Sequence, residues 1–547
     1  MARTFHPRAS RYGGPVAALL LFTGLTLAMT WPQAQDLSSR VHDSDDSLLS
    51  IWRLSWIAHI LPRSPLDLLN GNIFHPEPRT LAYSDAVLLQ GVAAAPLIWS
   101  GLAQVAVYNL VLLLSIALSG WAMWLYATHV TGHAWAGVLA GIAFAFVPFR
   151  FDHFMHLELQ ATFFLPLTLL GVERTLETRS RRAAALTAAA FAGQVFAGIY
   201  YAIFLATVLL VVVPVRLGAL DRDARVQFTR AMLPAFTVAL IVITPYLLAY
   251  VSNRNSLGER QDSDIAMYSA SWSNYLSATP ENIVHGGWSA GLGRNERRLF
   301  PGVIALALAV VGLAGLDRRR VTLLLTGAVG LVVSLGFNTP LYEWLRTIVF
   351  PYRGLRAPAR ASILVFLAIA GLAAYGFARL TRAQSRAVTA LTATALSAAM
   401  LIEYRHPLHA WLTLPAEAPQ VYRWLATQPR SVVAEVPFAA PHRLDSIFDG
   451  LYMFNSTYHW QPIVNGYSGF FPRTFMELAE QMTGFPDDRS IGYLKGRGVD
   501  LIVVHGGLLG VDRYGLVTAA LLERADVEAT VQFDEPSGSD MVFRLRR

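Results

Sequence analysis

Apolar stretches about as long as a bilayer is thick recur along almost the whole of this sequence, and short arginine-rich tracts separate them. A helix of about 20 apolar residues crosses the hydrocarbon core. Eleven such stretches can be read: 14–31, 105–126, 135–150, 157–172, 183–198, 199–215, 231–251, 300–316, 321–337, 360–380 and 387–402. With 54% hydrophobic residues and only 15% charged ones, the chain is a polytopic membrane protein rather than a soluble enzyme. The net charge of +7 would suit nucleic acid. Its arginines, however, gather at Arg179, Arg181 and Arg182, at Arg318 to Arg320, and at Arg379, Arg382 and Arg386. That is the pattern of cytoplasmic loops, so nucleic acid is set aside as a partner. The lack of cysteine excludes disulfides and thiolate metal sites.

Setting the arginine tracts in the cytoplasm fixes the parity of the remaining loops. Arg3, Arg8 and Arg11 precede the first span, which lacks a clean cleavage site, so an uncleaved helix with a cytoplasmic N-terminus is expected. Counting back from the later tracts puts residue 105 outside, where the first span also emerges. The stretch 83–99, interrupted by Pro96, therefore does not cross completely, and 32–104 becomes one large external loop. In that loop, 47–61 places Leu48, Leu49, Trp52, Trp56 and Ile60 on one helical face, which suggests a helix lying in the interface. Residues 1–402 then form the transmembrane domain. Residues 403–547, less apolar, alternate strand-like runs (432–437, 501–505, 530–533, 541–545) with helix-like ones (418–427, 472–482, 517–525). The expected fold is mostly α: a membrane bundle of about eleven helices with a C-terminal external α/β domain.

Four external segments carry chemistry. His42 to Asp46 holds three carboxylates, Asp43, Asp45 and Asp46, just before the 47–61 helix. They read equally as a helix N-terminal cap, which favours acidic residues. Arg150, His153, His156 and Glu158 lie in an outer turn. The histidines suit a metal by type, but a neutral hydrogen-bonding role fits them as well. Arg353, Arg356 and Arg360 bring guanidiniums to the outer surface, where they can pair with a phosphate or with lipid headgroups. In 452–471, Tyr458, His459, Trp460 and Tyr467 can stack on a sugar or pack in a core, and Gly466 and Gly469 allow sharp turns. A carboxylate near an acceptor hydroxyl is a competent base, and arginines stabilise a departing phosphate.

One helix, a long external loop with an acidic residue opening a helix (Asp46-Ser47-Leu48-Leu49-Ser50-Ile51-Trp52), the run Asn72-Ile73-Phe74-His75-Pro76-Glu77-Pro78-Arg79 and a partly inserted helix follow one another. The outer turn 150–156, the run Gly354-Leu355-Arg356-Ala357-Pro358-Ala359-Arg360 leading into a late helix, and an external C-terminal domain complete the series. Over nearly its whole length the chain thus resembles the GT-C polytopic glycosyltransferases. That group includes protein O-mannosyltransferases and aminoarabinose transferases, and the likeness is greatest to a bacterial branch with Asn-Gly-Tyr-Ser-Gly segments like 465–469.

The resemblance implies transfer of a sugar from a polyprenyl-phosphate-linked donor, with inversion, to a glycan, lipid or protein acceptor. The setting it implies is the outer face of a bacterial cytoplasmic membrane, in contact with membrane lipid. It makes Asp46 the general base, with Asp43 and Asp45 as fallbacks. Asp85 or Glu77 would be a second carboxylate that orients the acceptor or helps to hold a metal. A clean Asp-Glu pair, as in the mannosyltransferases, is lacking. A divalent cation such as magnesium or manganese would suit Asp46 and Asp85. Substrate contacts fall to Glu77, Arg79, Arg150, His153, His156, Arg353, Arg356, Arg360, Tyr458, His459 and Tyr467. The alternative is a non-catalytic transporter or scaffold for lipid-linked glycans. A transporter should carry charged or broken segments near the bilayer midplane.

Overall fold

The computed structural model describes residues 13–42, 45–294, 296–408, 411–444 and 447–546, with the backbone alone at 13, 255 and 256. Most of these residues are helical, and they divide into two compact units.

The first unit takes in the described residues up to 35, together with 110–244 and 259–409. Its helices start where small polar side chains cap them, because the first turn has free N–H groups. The Asp317 carboxylate accepts from the N–H groups of Arg319 and Arg320 at 3.0 and 2.9 Å, and Ser385 Oγ accepts from Val388 N–H at 3.3 Å. Among the described residues, six helices are long and apolar enough to cross a membrane: Gln104–Thr131, Ala134–Asp152, Ile199–Gly218, Arg222–Arg254, Pro358–Leu380 and Arg386–Glu403. The chain is thus a multi-pass membrane protein.

Each of the other expected spans carries a shorter helix. The stretch 157–172 breaks at residues 161–163, between Leu157–Gln160 and Phe164–Thr178, and 300–316 holds only Val303–Gly312 in helix. Glycine lets Val303–Gly312 press on Ser362–Leu380. A Cβ at Gly312 would meet the Leu372 carbonyl, and one at Gly376 the Leu308 carbonyl, both at less than van der Waals distance. Three other helices meet around an ion pair: the Arg216 guanidinium grips Glu173 and also donates to Thr322 Oγ1 at 2.6 Å, with Glu173 only 1% exposed. Buried charges need this degree of pairing to be tolerated.

The second unit combines 36–109, 245–258 and 410–547, so the expected division at 402/403 separates residues that fold together. Two pairings explain the grouping. Strand β1 (Arg40–His42) runs antiparallel to β2 (Trp411–Thr413), with Val41 opposite Leu412. A four-stranded sheet follows the order β3-β4-β6-β5, in which β3 (Val433–Val436) is parallel to β4 (Leu501–His505), while β5 (Val527–Glu535) and β6 (Gly538–Leu545) form an antiparallel hairpin. At the β3 edge, Val464 N–H donates to the Val433 carbonyl at 3.0 Å. The loop 72–75 then joins residues 463–465 through Ile463 N–H to Asn72 O (2.8 Å), Phe74 N–H to Asn465 O (3.0 Å) and His75 N–H to Ile463 O (2.9 Å). An edge of unpaired backbone groups is thus covered from near the start of the chain.

The Asp45–Ile60 helix is not interfacial, in contrast to the amphipathic reading. Every residue from Ser47 to Ala58 is buried. Its polar groups find partners inside: Trp52 Nε1 donates to Asn72 Oδ1 at 3.0 Å, Trp56 Nε1 to Leu68 O at 2.9 Å, and Arg53 to Asp85 O at 2.6 Å. Helices Leu88–Trp99 and Ile447–Ser456 pack against it. A helical period shows which residues share a face, but not that both faces will be covered.

Candidate functional site

In the second unit the acidic run opens the Asp45–Ile60 helix, with Asp45 and Asp46 in its first turn, where helix N–H groups favour negative charge. Asp43 lies outside the described residues. The Tyr467 hydroxyl donates to Asp46 Oδ1 at 3.4 Å. Tyr467 is held there by the segment around it. Asn465 forms a two-way bridge with the Glu435 backbone, accepting at 2.8 Å and donating at 3.1 Å, and Gly466 N–H donates to Asp449 Oδ1 at 3.2 Å. Glycine is needed at 466 and 469. A Cβ at Gly466 would come within 2.8 Å of the Phe74 ring, and one at Gly469 within 3.1 Å of Ser84 Oγ. The Asn-Gly-Tyr-Ser-Gly run thereby brings the C-terminal chain against the N-terminal loop and its carboxylates.

The other expected residues of this unit divide by role. Asp85 is 7% exposed and bracketed by Tyr250, whose hydroxyl accepts from Ala86 N–H at 3.1 Å and donates to Ser84 O at 3.0 Å. Backbone strain gathers close by, with positive φ at Phe74 (57°), Arg79 (52°) and Val87 (45°). Left-handed geometry at a β-branched residue such as Val87 persists only where the surroundings enforce it. Glu77 accepts from Thr474 Oγ1 at 2.7 Å and Tyr83 OH at 3.2 Å, at the wall of a 430 Å³ cavity shared with Leu257, Phe471 and Arg473. Arg79 is held by Asn253 Oδ1 at 3.0 Å. Tyr458 packs edge-on against Phe454.

His459 does not offer itself as a stacking platform. It is buried flat against Tyr422, its Nδ1 accepts from Gln461 N–H at 3.0 Å, and burial lowers it to about 3, so the ring is neutral. Deeper still, burial alone would lower His505, but the hydrogen bonds its ring N–H groups donate to Asp540 and Glu435 raise it to about 10. Asp449 and this His505 pair escaped the sequence reading. Their one signal was a charged residue inside an otherwise apolar run, as in Ile447-Phe448-Asp449-Gly450-Leu451.

The first unit holds a cationic cluster of its own. Arg360 clasps Glu296 with two hydrogen bonds, His153 Nε2 lies 3.5 Å from the same carboxylate, and the His153 and His156 rings meet edge-on at 5.4 Å. Burial would raise Glu296, but Arg360 and His153 hold it well below the ordinary carboxylate range. Its φ of 68° is a further strained position. Ligand atoms of His153, His156 and Glu296 lie within 4.8 Å of one another, with Glu296 in place of the expected Glu158. Both Glu296 oxygens also accept from the Arg360 guanidinium, which would compete with a metal ion for them. Among the described residues, Asp46 and Asp85 belong to no such grouping.

Arg356 lies over the Tyr268 ring at 5.2 Å and Arg360 over Tyr200 at 5.2 Å, while Arg356 N–H donates to Tyr200 OH at 2.7 Å. Arg260, which the sequence reading passed over, joins them. Burial and repulsion from Arg356 and Arg360 lower it to about 10, against an opposing pull from Tyr200 and Asp264. Guanidiniums crowded in this way repel one another, and they have the hydrogen-bond donors that suit an anion.

Two expected ligands are occupied elsewhere. Arg353 caps helix Pro340–Ile348 through the carbonyls of Arg346 (3.3 Å) and Thr347 (3.0 Å). Arg150, 2% exposed, donates to Phe144 O at 2.9 Å, to Gln160 O at 3.2 Å and to Thr162, closing the turn between two helices.

This arrangement of helices is the GT-C fold. The chain is similar to the mycobacterial arabinofuranosyltransferase AftD, with a TM-score of 0.64 at 18% identity over 99% of this chain and 40% of that one. It thus spans well under half the length of that relative. The oligosaccharyltransferase of Archaeoglobus fulgidus is more remote, with a TM-score of 0.48 at 10% identity over 90% of this chain and 70% of that one. ArnT of Cupriavidus metallidurans gives 0.45 at 13%, over 96% and 98%. No curated protein matches. By sequence the chain belongs to the family described as Domain of unknown function (DUF6311), whose model matches residues 62–399, more than half of its length.

Proposed function

We propose that this protein is a membrane glycosyltransferase that moves a sugar from a polyprenyl-phosphate-linked donor to a hydroxyl on an extracytoplasmic glycan, lipid or protein. In this reading all eleven apolar segments span the bacterial cytoplasmic membrane, the N-terminus is cytoplasmic, and residues 403–547 lie outside. Asp46 takes the proton of the acceptor hydroxyl. The acceptor oxygen then bonds to the anomeric carbon from the face opposite the lipid phosphate, the bond from that carbon to the phosphate oxygen breaks, and the phosphate leaves as an anion with inversion of the sugar. In the first unit, Arg260 and Arg356 are the groups suited to a phosphate. The observation that carries the proposal is the Tyr467 to Asp46 hydrogen bond, which fixes a carboxylate at a helix start inside a folded GT-C frame.

The test supplies membranes containing the protein with polyprenyl-phosphate-linked arabinofuranose, a donor chosen from the AftD likeness, and follows labelled product by mass spectrometry. Loss of a general base costs about 10²- to 10⁴-fold. Asp46→Asn should therefore abolish measurable transfer while the thermal midpoint stays near that of the wild type. Turnover at the wild-type rate by that variant would end the assignment of the base.

A further inference from the structure

The Ile447–Ser456 helix packs against the Asp45–Ile60 helix and carries one carboxyl group, Asp449, with 0% exposure. Its Oδ1 accepts from Gly466 N–H at 3.2 Å, and its Oδ2 has no partner among the described residues. The next residue is pressed against the start of the other helix: a Cβ at Gly450 would stand 3.1 Å from Leu48 Cδ1 and 3.3 Å from Asp45 Oδ1. A bare anion at Asp449 would be a buried charge beside a second carboxylate, the most costly arrangement for such a group.

The charged and titratable groups around it compensate nothing. Asp45 and Asp46 stand on the facing helix, Glu435 on β3, Tyr452 on the same helix, and Tyr467 on the glycine-rich segment. His505, the nearby cation, already serves Glu435 at 2.6 Å and Asp540 at 3.0 Å. Burial pushes the Asp449 carboxyl well above its ordinary range. Gly466 N–H and Asn465 pull it back in part, and the charges of Asp45 and Glu435 add to the rise.

We propose that Asp449 is a positioning residue: as a neutral acid it donates a hydrogen bond from Oδ2 to Asp45 and so fixes the start of the helix that presents Asp46. Asp45 then serves as the acceptor of that bond, beside Asp46, which Tyr467 holds from the glycine-rich segment. The neutral acid is the only form of Asp449 that can donate, so the residue acts by holding a proton rather than by exchanging one. Its role in turnover rests on the transferase reading above, whereas the hydrogen bond itself does not.

Two measurements separate these. Infrared difference spectra of the full-length protein at neutral pH, wild type against Asp449→Asn, should show the loss of one protonated-carboxyl C=O band. If no such band is lost, the proposal fails whatever the enzyme does. In the transfer assay, Asp449→Asn keeps a neutral N–H donor and should retain activity and the wild-type pH profile. Asp449→Leu removes the donor and should move the acid limb upward by about one pH unit, because the carboxylates lose a hydrogen bond to their ionised form. An unmoved acid limb in folded Asp449→Leu, or an Asp449→Asn as inactive as Asp46→Asn, would overturn the positioning role. Should Asp46→Asn turn over like the wild type, the base assignment falls and the infrared band still decides the Asp449 to Asp45 bond.

Discussion

Two histidines of the second unit are held neutral by their surroundings. Burial and the nearby Arg63 lower His59 to about 4, where it stacks on Trp460 at 4.0 Å, and burial lowers His459 to about 3. The sign follows from linkage. A histidine near 6.5 when unfolded and depressed when folded contributes stability that is fully present above 6.5. That contribution is lost as the pH falls from there toward the folded value. The second unit should therefore weaken between about pH 6.5 and pH 4. His459→Gln, which cannot titrate, should show a shallower fall of thermal midpoint over that interval than the wild type, and an unchanged slope would contradict this. Read from the sequence, His459 and Tyr467 were equal candidates for stacking on a ligand, because pattern alone cannot separate an aromatic that lines a cavity from one that fills a core. The helix start at Asp45 and Asp46 was legible because acidic residues before a helix are a local signal. Asp449, Arg260 and Glu296 were not, since each takes its meaning from partners hundreds or dozens of residues away.

At the level of elements, local physics was a sound guide where the pattern was long. The apolar segments do carry helices, and all four strands of the larger sheet overlap the runs expected to be strands. What escaped was tertiary. Nothing in 72–75 reads as a strand, yet its backbone pairs with 463–465, and the apolar stretch 157–172 is interrupted at 161–163, where Arg150 donates to Gln160 O. The glycine contact that lets these segments approach is testable. Gly466→Ala places a methyl 2.8 Å from Phe74, a ring already packed by Phe475 at 5.0 Å and Tyr83 at 6.1 Å. Overpacking of this kind costs about 1–3 kcal/mol. The thermal midpoint should fall and transfer with it, and a midpoint equal to that of the wild type would mean that the ring yields freely.

For the molecule as a whole, the absence of cysteine makes the proposed topology directly measurable. Single cysteines at Ser537, in the β5–β6 turn, and at Ala383, between the last two helices of the first unit, sit in exposed positions. A membrane-impermeant maleimide applied to intact cells should label Ser537→Cys and reach Ala383→Cys only after lysis, and the reverse pattern would invert the orientation. The pairing of residues 72–75 with 463–465 bears on how such a molecule is made. The sheet edge that the early loop must cover does not exist until the chain has been synthesised past residue 460, because contacts so distant in sequence form late. Throughout translation the loop bearing residues 72–75 waits for its partner, and a chain that stops before residue 463 cannot form these backbone pairs. The final packing of the early loop thus waits on chain made nearly four hundred residues later.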